Sequence, residues 1–256
     1  MNSISVRALL VRGMLAGLVA GALALLVAYF LGESRVDAAI ALEETAHRAH
    51  GHDHGAAEEL VSRGVQSTAG LATGVLVFGV AAGGIAALVF CYALGRIGRF
   101  GPRATAALIA GGALVSVYIV PFLKYPANPP AVGNPDTIGQ RTALFFLMVA
   151  LSVLLAVAAV IVGKRLAPRL GNWNATVTAA AGYVVLIALA YVFLPSFNEV
   201  GKGFPATLLW QFRLATLAVQ ATLWTAFGLF FGHLTERLLV PRAGLLAGGR
   251  TATATG

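Results

Sequence analysis

Six stretches of the chain are apolar and almost free of charge: 13–31, 66–94, 105–123, 142–162, 175–194 and 205–231, the last interrupted by Arg213. Each is about 20 residues or longer, the length at which a helix crosses some 30 Å of hydrocarbon. The runs are continuous rather than alternating, which predicts helices and not the strands of a membrane barrel. The expected fold is therefore all-α: a polytopic integral membrane helical bundle of about six transmembrane helices. It forms one membrane domain over 1–241, followed by a small-residue tail at 242–256 that has nothing to bury and is expected to be disordered. A cleaved leader is the alternative for the first run, with a conceivable site at Val36-Asp37-Ala38. That run is longer than a leader's apolar core, so a retained anchor is expected. Gly13, Gly17 and Gly21 in the first run, and Gly70, Gly74, Gly79 and Gly83 in the second, recur at spacings that let helix backbones approach closely in lipid.

Composition agrees with the pattern. The 256 residues are 58% hydrophobic and only 11% charged, whereas soluble domains carry about 25% charged residues. The net charge of +8 would suggest nucleic acid in a soluble protein, but here it has another source. One set of helix ends holds Arg7, Arg12, Arg96, Arg99, Arg103, Lys164, Arg165, Arg169, Arg237, Arg242 and Arg250. The opposite set holds Arg35, Arg48, Arg63, Lys124, Arg141 and Lys202, with nine of the ten acids. The excess of basic residues on one side places both termini in the cytoplasm and no nucleic acid is implied. Five spans with a re-entrant segment is the competing topology, and it would move the C-terminus outside. The single cysteine, Cys91, excludes an internal disulfide.

Against this apolar background stands one polar segment, 32–65, which the topology makes extracytoplasmic. Between Glu43 and Glu59 it carries four of the five histidines (His47, His50, His52, His54) and five of the ten acids (Glu43, Glu44, Asp53, Glu58, Glu59). Neutral imidazole binds cobalt, nickel, copper and zinc, and carboxylates complete such sites. A helix over 36–50 would put Glu43, His47 and His50 on one face, and Gly51 would let His52 and His54 fold back. The bland alternative is a solvated loop that meets metal only incidentally. The spacing specifies no particular metal, and it is not that of a structural zinc site.

A second connection, 121–141, holds five of the ten prolines, so it is stiff and shaped rather than floppy. It displays Lys124, Tyr125, Asn128, Asp136, Thr137 and Arg141. Two readings stay open: a vestibule beside the histidine segment, or a structural clamp that closes the bundle. Here the chain resembles a family. The run Pro121-Phe122-Leu123-Lys124-Tyr125-Pro126-Ala127-Asn128-Pro129-Pro130, then Gly133, Asp136-Thr137-Ile138-Gly139 and Arg141, is similar to the CbtA-type probable cobalt transporter subunit. The resemblance implies a bacterial inner-membrane subunit for cobalt uptake linked to cobalamin supply, beside a small single-span companion with its own histidines. The family is often described with five spans rather than six.

Inside the apolar runs the notable polar groups are Arg213 and Gln220. On a helix, Trp210, Arg213, Leu217, Gln220 and Trp224 make one stripe. Arg213 either snorkels outward or faces the bundle, paired with Gln220 or an outer-loop acid. No span holds a central Asp or Glu of the kind that couples pumps to protons or sodium. Gly163-Lys164-Arg165 and Gly201-Lys202-Gly203 lack the Ser or Thr that follows lysine in a nucleotide loop, so no nucleotide is expected. Cys91 and His233 are the candidates for a weak exit site on the inner side. An enzyme is not expected, because no nucleophile has a nearby base. The leading expectation is a membrane subunit that captures a divalent transition metal, cobalt first and nickel or zinc as alternatives, through the histidine-rich segment. The alternative is a non-transporting metal-binding or assembly subunit that hands the ion to a partner permease.

Overall fold

The computed structural model describes residues 3–49, 62–201 and 203–239. Among these residues every regular element is helical. Helix α1 (Ser3–Val27) runs through a π-helical turn (Ala28–Gly32) into α2 (Glu33–Ala49) without a break in direction. After residue 62 the chain returns through Arg63–Val65 and a second π-helical turn (Gln66–Gly70) into α3 (Leu71–Ala93). Helix α4 (Pro102–Ala113) starts on Pro102, whose missing N–H costs nothing in a first turn. It continues through a π-helical stretch (Leu114–Ile119) into α5 (Val120–Lys124). Then come α6 (Ile138–Phe193) and α7 (Ala206–Leu239).

Five helices are long and apolar enough to cross a membrane: Val6–Thr45, Arg63–Ala93, Pro102–Lys124, Ile138–Phe193 and Ala206–Leu239. The fourth, α6, is not a single rod. Gly171 inside it has φ +75° and ψ 160°, a conformation open to glycine and strained for other residues. The two arms, 138–170 and 172–193, fold back on each other. Ser152 Oγ lies 2.8 Å from Tyr183 Oη, and a Cβ on Gly163 would sit 3.3 Å from Ala179 Cβ. A straight helix would hold residues 152 and 183 about 46 Å apart. The chain therefore has about six crossing arms, as its hydrophobic pattern predicts.

Four of the crossings form one unit. Helices α1 and α3 run antiparallel on a seam of glycines. A Cβ on Gly17 would lie 2.1 Å from the Gly79 carbonyl oxygen, and one on Gly83 would lie 2.3 Å from that of Gly13. Contact this close is what small residues provide in lipid, where apolar burial alone does not drive helices together. Gly74, on the other face of α3, has nothing within 4 Å and is not part of the seam. Helix α7 completes the unit against α1 and α4. Its Gly228 admits Ala110, whose Cβ would be 2.9 Å from an added Cβ. Phe90 and Phe231 meet edge to face at 5.1 Å, and Phe231 stacks on Phe227. These rings join Leu9 and Ala106 in the core.

The α6 hairpin packs beside this unit, against α5 and the stretch before it. Its own small core is Val120, Met148 and Ile187, with Tyr183 and Tyr191 at its edge. The same packing sorts the two ends of the bundle. Leu9, Phe90, Ala106 and Phe231 cluster toward one end, which also carries the Arg103–Glu236 ion pair and a bond from Lys164 to the Arg96 carbonyl. This is the basic end. The other end carries α2, Arg63 and the loops 125–137 and 194–205, and is called the loop end below.

Candidate metal-capture arm and the clasped loop end

Segment 32–65 is not loop throughout. Residues 33–49 are helical, so the condition for placing Glu43 and His47 on one face is met. Arg63 braces the base of the arm. Its Nε and Nη2 donate to Asp37 Oδ1 at 3.0 and 2.9 Å, and its guanidinium also pairs with Glu33. Both acids stand one turn apart on α2, so one arginine meets both. Each π-helical turn lies next to this staple along its own chain segment. Arg63 was a plain loop cation in the sequence. Its role is visible only once α1 and α3 are aligned.

Beyond the staple α2 continues for about 15 Å toward the candidate ligands. Glu43 is half-buried and Glu44 exposed. His47 lies four residues after Glu43 on helical backbone, so the two share a face. His50, His52, Asp53, His54, Glu58 and Glu59 lie outside the described residues, as does the side chain of His47. Among the described residues no three His, Cys, Asp or Glu side chains come together to hold a metal.

The proline-rich connection is a clasp. Lys124 Nζ donates to the Tyr191 carbonyl at 2.8 Å and to Ser196 Oγ at 2.6 Å. Tyr125 Oη donates to the Pro195 carbonyl at 2.8 Å. Tyr191 in turn donates its hydroxyl to the Val120 carbonyl. At the centre is Glu199. Its carboxylate accepts the Asn134 N–H at 2.9 Å and the Thr137 hydroxyl, and pairs with Arg141 Nη1 at 3.0 Å. The Thr137 bond, then the Asn134 N–H, and then the Arg141 charge hold the Glu199 carboxyl below its usual pKa. Gly133, at φ +130°, lets the Arg141 guanidinium lie against its backbone, where an added Cβ would be 2.8 Å from both terminal nitrogens. Asn134 Oδ1 closes a local turn by accepting the Asp136 N–H at 3.0 Å. Asp136 itself is exposed.

Of the two arrangements open for Arg213, the structure has the outward reach, and among the described residues its hydrogen-bond partners are neither Gln220 nor an acid. Its Nε donates to the Ala127 carbonyl at 3.2 Å and its Nη2 to Asn128 Oδ1 at 3.0 Å. The charge reaches from within α7 to the loop end and fastens the proline loop to the four-helix unit. Gln220, two turns deeper, is half-buried. The stripe drawn from Trp210 to Trp224 is not one buried face either. Trp210 is 62% exposed and Trp224 only 6%. Of the weaker candidates at the basic end, Cys91 packs beside the core and His233 is exposed.

Thus Lys124, Tyr125, Asn128, Thr137 and Arg141 are brought together as hydrogen-bonding partners of loop 194–205 and of α7. Glu199 is the hub, and no sequence motif marks it as one. Its only signal was its position, since it is the lone acid of the loop facing the prolines. A family model described as probable cobalt transporter subunit (CbtA) matches residues 6–236. No curated protein and no solved structure matches the chain.

Proposed function

Because the chain belongs to the family described as probable cobalt transporter subunit (CbtA), we propose that it captures divalent cobalt outside the cytoplasm and admits it to an uptake path. The observation that carries this reading is α2, a polar helix that extends a membrane-crossing helix past the Arg63 staple and presents Glu43 and His47 on one face. His50, His52 and His54, with Glu44, Asp53, Glu58 or Glu59, complete the donor set. The donors are imidazole and carboxylate, which also accept nickel and zinc. Only neutral imidazole binds metal, so capture weakens as pH falls below about 6.5. The protein sits in the bacterial inner membrane with both termini cytoplasmic, and the basic end faces the cytoplasm. A membrane potential negative inside then drives a cation inward by about 2.3 kcal/mol per charge per 100 mV.

The test is uptake at limiting cobalt in cells that carry His47→Ala, His50→Ala, His52→Ala and His54→Ala together. Capture predicts a higher cobalt concentration for half-maximal uptake, and an unchanged value refutes it. A tag inserted after Gly55 should be reached by impermeant reagents in intact cells. Protection from them would reverse the orientation.

A second reading has its own support. The described acids and histidines all lie at the ends of the crossings, and the α1–α3 seam is too close for an ion to pass between its glycines. On this reading the chain is a non-transporting subunit that hands metal to a partner permease, such as a small single-span companion with histidines. Cobalt entering liposomes that hold this chain alone selects the first reading. Entry only after a partner is added selects the second.

A further inference from the structure

The hairpin is held differently at its two ends. At the loop end Lys124, Tyr125, Arg141 and Tyr191 bind it to its neighbours. At the basic end, among the described residues, one hydrogen bond crosses between the hairpin and the rest of the bundle, from Lys164 Nζ to the Arg96 carbonyl. The groups around that bond repel one another. Arg96 and Arg99 lie on one side of it, and Lys164, Arg165 and Arg169 lie on the other. The one described acid at this end, Glu236, is already paired with Arg103. Arg96 bends back over the Tyr92 ring, 5.1 Å from its centroid, and donates to the Tyr92 carbonyl at 2.8 Å.

Like charges drawn together at the edge of a low-dielectric slab need a counterion. The depth of the site says which one. Tyr92 and Trp173 are 73% and 79% exposed, and Phe100 is 47% exposed. They flank the basic groups, and exposed aromatic rings of this kind settle at the level of the headgroups.

We propose that the exposed basic surface shared by segment 94–101 and the hairpin turn binds the phosphate of an anionic phospholipid headgroup, through Arg96, Arg99, Lys164 and Arg165. The lipid bridges the two helical units where the protein itself provides almost no bond. Basic groups near an anionic headgroup surface act additively, so the bound phosphate offsets the repulsion that the turn would otherwise carry.

The full chain is placed in phosphatidylcholine nanodiscs with and without phosphatidylglycerol, and thermal unfolding is followed. Phosphatidylglycerol should raise the midpoint by about 4 °C. Lys164→Gln with Arg165→Gln should lose most of that rise, whereas Arg237→Gln, which removes charge at the same end but away from segment 94–101 and the hairpin turn, should keep it. Equal loss in both variants would mean a general surface charge effect and would overturn the site. A rise reproduced by inorganic phosphate in pure phosphatidylcholine would overturn the lipid as occupant. So would an absence of any rise. A second readout needs no variant of the basic groups. Bromine-labelled phosphatidylglycerol should quench tryptophan fluorescence more than bromine-labelled phosphatidylcholine, and Trp173→Phe should remove the excess. Equal quenching by the two lipids overturns the proposal.

Discussion

The α6 hairpin is more apolar in sequence than the four-helix unit, and the two are held by opposite means. In the unit, backbone meets backbone. Gly13, Gly17, Gly79 and Gly83 bring α1 and α3 so close that a single Cβ at Gly17 would enter a carbonyl oxygen. In the hairpin only 11% of the most apolar stretch is buried, against 28% to 39% in the other four long helices. What fastens it is a set of polar contacts at the loop end. The difference teaches that burial is a poor guide to cohesion in a bilayer. Lipid solvates Leu154 or Val192 as well as another helix would, so exposure there costs little. Cohesion comes from close packing where residues are small, and from hydrogen bonds where they are not.

Substitutions can break or sharpen this contrast. The largest effect should come from Gly17→Leu, which forces α1 from α3. We expect a loss of about 3 kcal/mol or more, seen as a collapse of the thermal midpoint. Gly74→Ala, on the open face of α3, should be neutral or slightly stabilising. A Gly17→Leu variant as stable as Gly74→Ala would remove the seam from the account.

Next comes Arg213→Gln. It frees the Ala127 carbonyl and Asn128 and should cost about 2 kcal/mol. Faster hydrogen exchange should follow in 125–137 but not in α1. Exchange that rises equally in both would mean that the loop is not fastened by this side chain.

Glu199→Gln should act more locally. It removes the charge from the Arg141 pair and should loosen 131–141 and 194–201 alone. Wild-type protein should show the same loosening in acid. The Glu199 carboxyl is held below its ordinary value of 4.5, so the unfolded chain takes up its proton first. The stabilisation is complete above that value and is lost as pH falls through the lowered one. Loop exchange that stays flat from neutral pH into this range, while Glu199→Gln differs from wild type, would contradict the assignment.

The smallest effect should be that of Tyr183→Phe. It deletes the bond to Ser152 inside the hairpin, at about 0.6 kcal/mol, and should barely move the midpoint. A large loss would mean that the two arms depend on polar contact near their middle as well as at their ends.

Much of the architecture was legible beforehand. Six apolar runs reappear as crossing arms, including the two that merge into one helix through Gly171, because each run is long enough to span hydrocarbon and cannot end inside it. The glycine ladder was legible too, although Gly74 shared the spacing of its neighbours and turned out to face away. Spacing gives a helix face but not what that face meets. The helix before His50 entered only as a condition for bringing Glu43 and His47 to one face, and the Arg63 staple was not legible at all. Glu33 and Arg63 are 30 residues apart, and nothing local joins them. The same holds for Glu199 and Thr137, 62 residues apart, and for Arg213 and Asn128, 85 apart.

By itself the sequence determined that the chain is an all-helical membrane bundle of about six crossings, and where imidazoles and carboxylates gather along it. Solvent physics decides those matters: lipid rejects charge and unpaired backbone, and the cost depends on local composition alone. Only the tertiary structure decided which crossings touch and which side chains satisfy one another. Arg213 left the bundle for Asn128, and Glu199 became the centre of the clasp. A hydrogen bond needs a partner at about 3 Å, and that distance is set by how the helices stack.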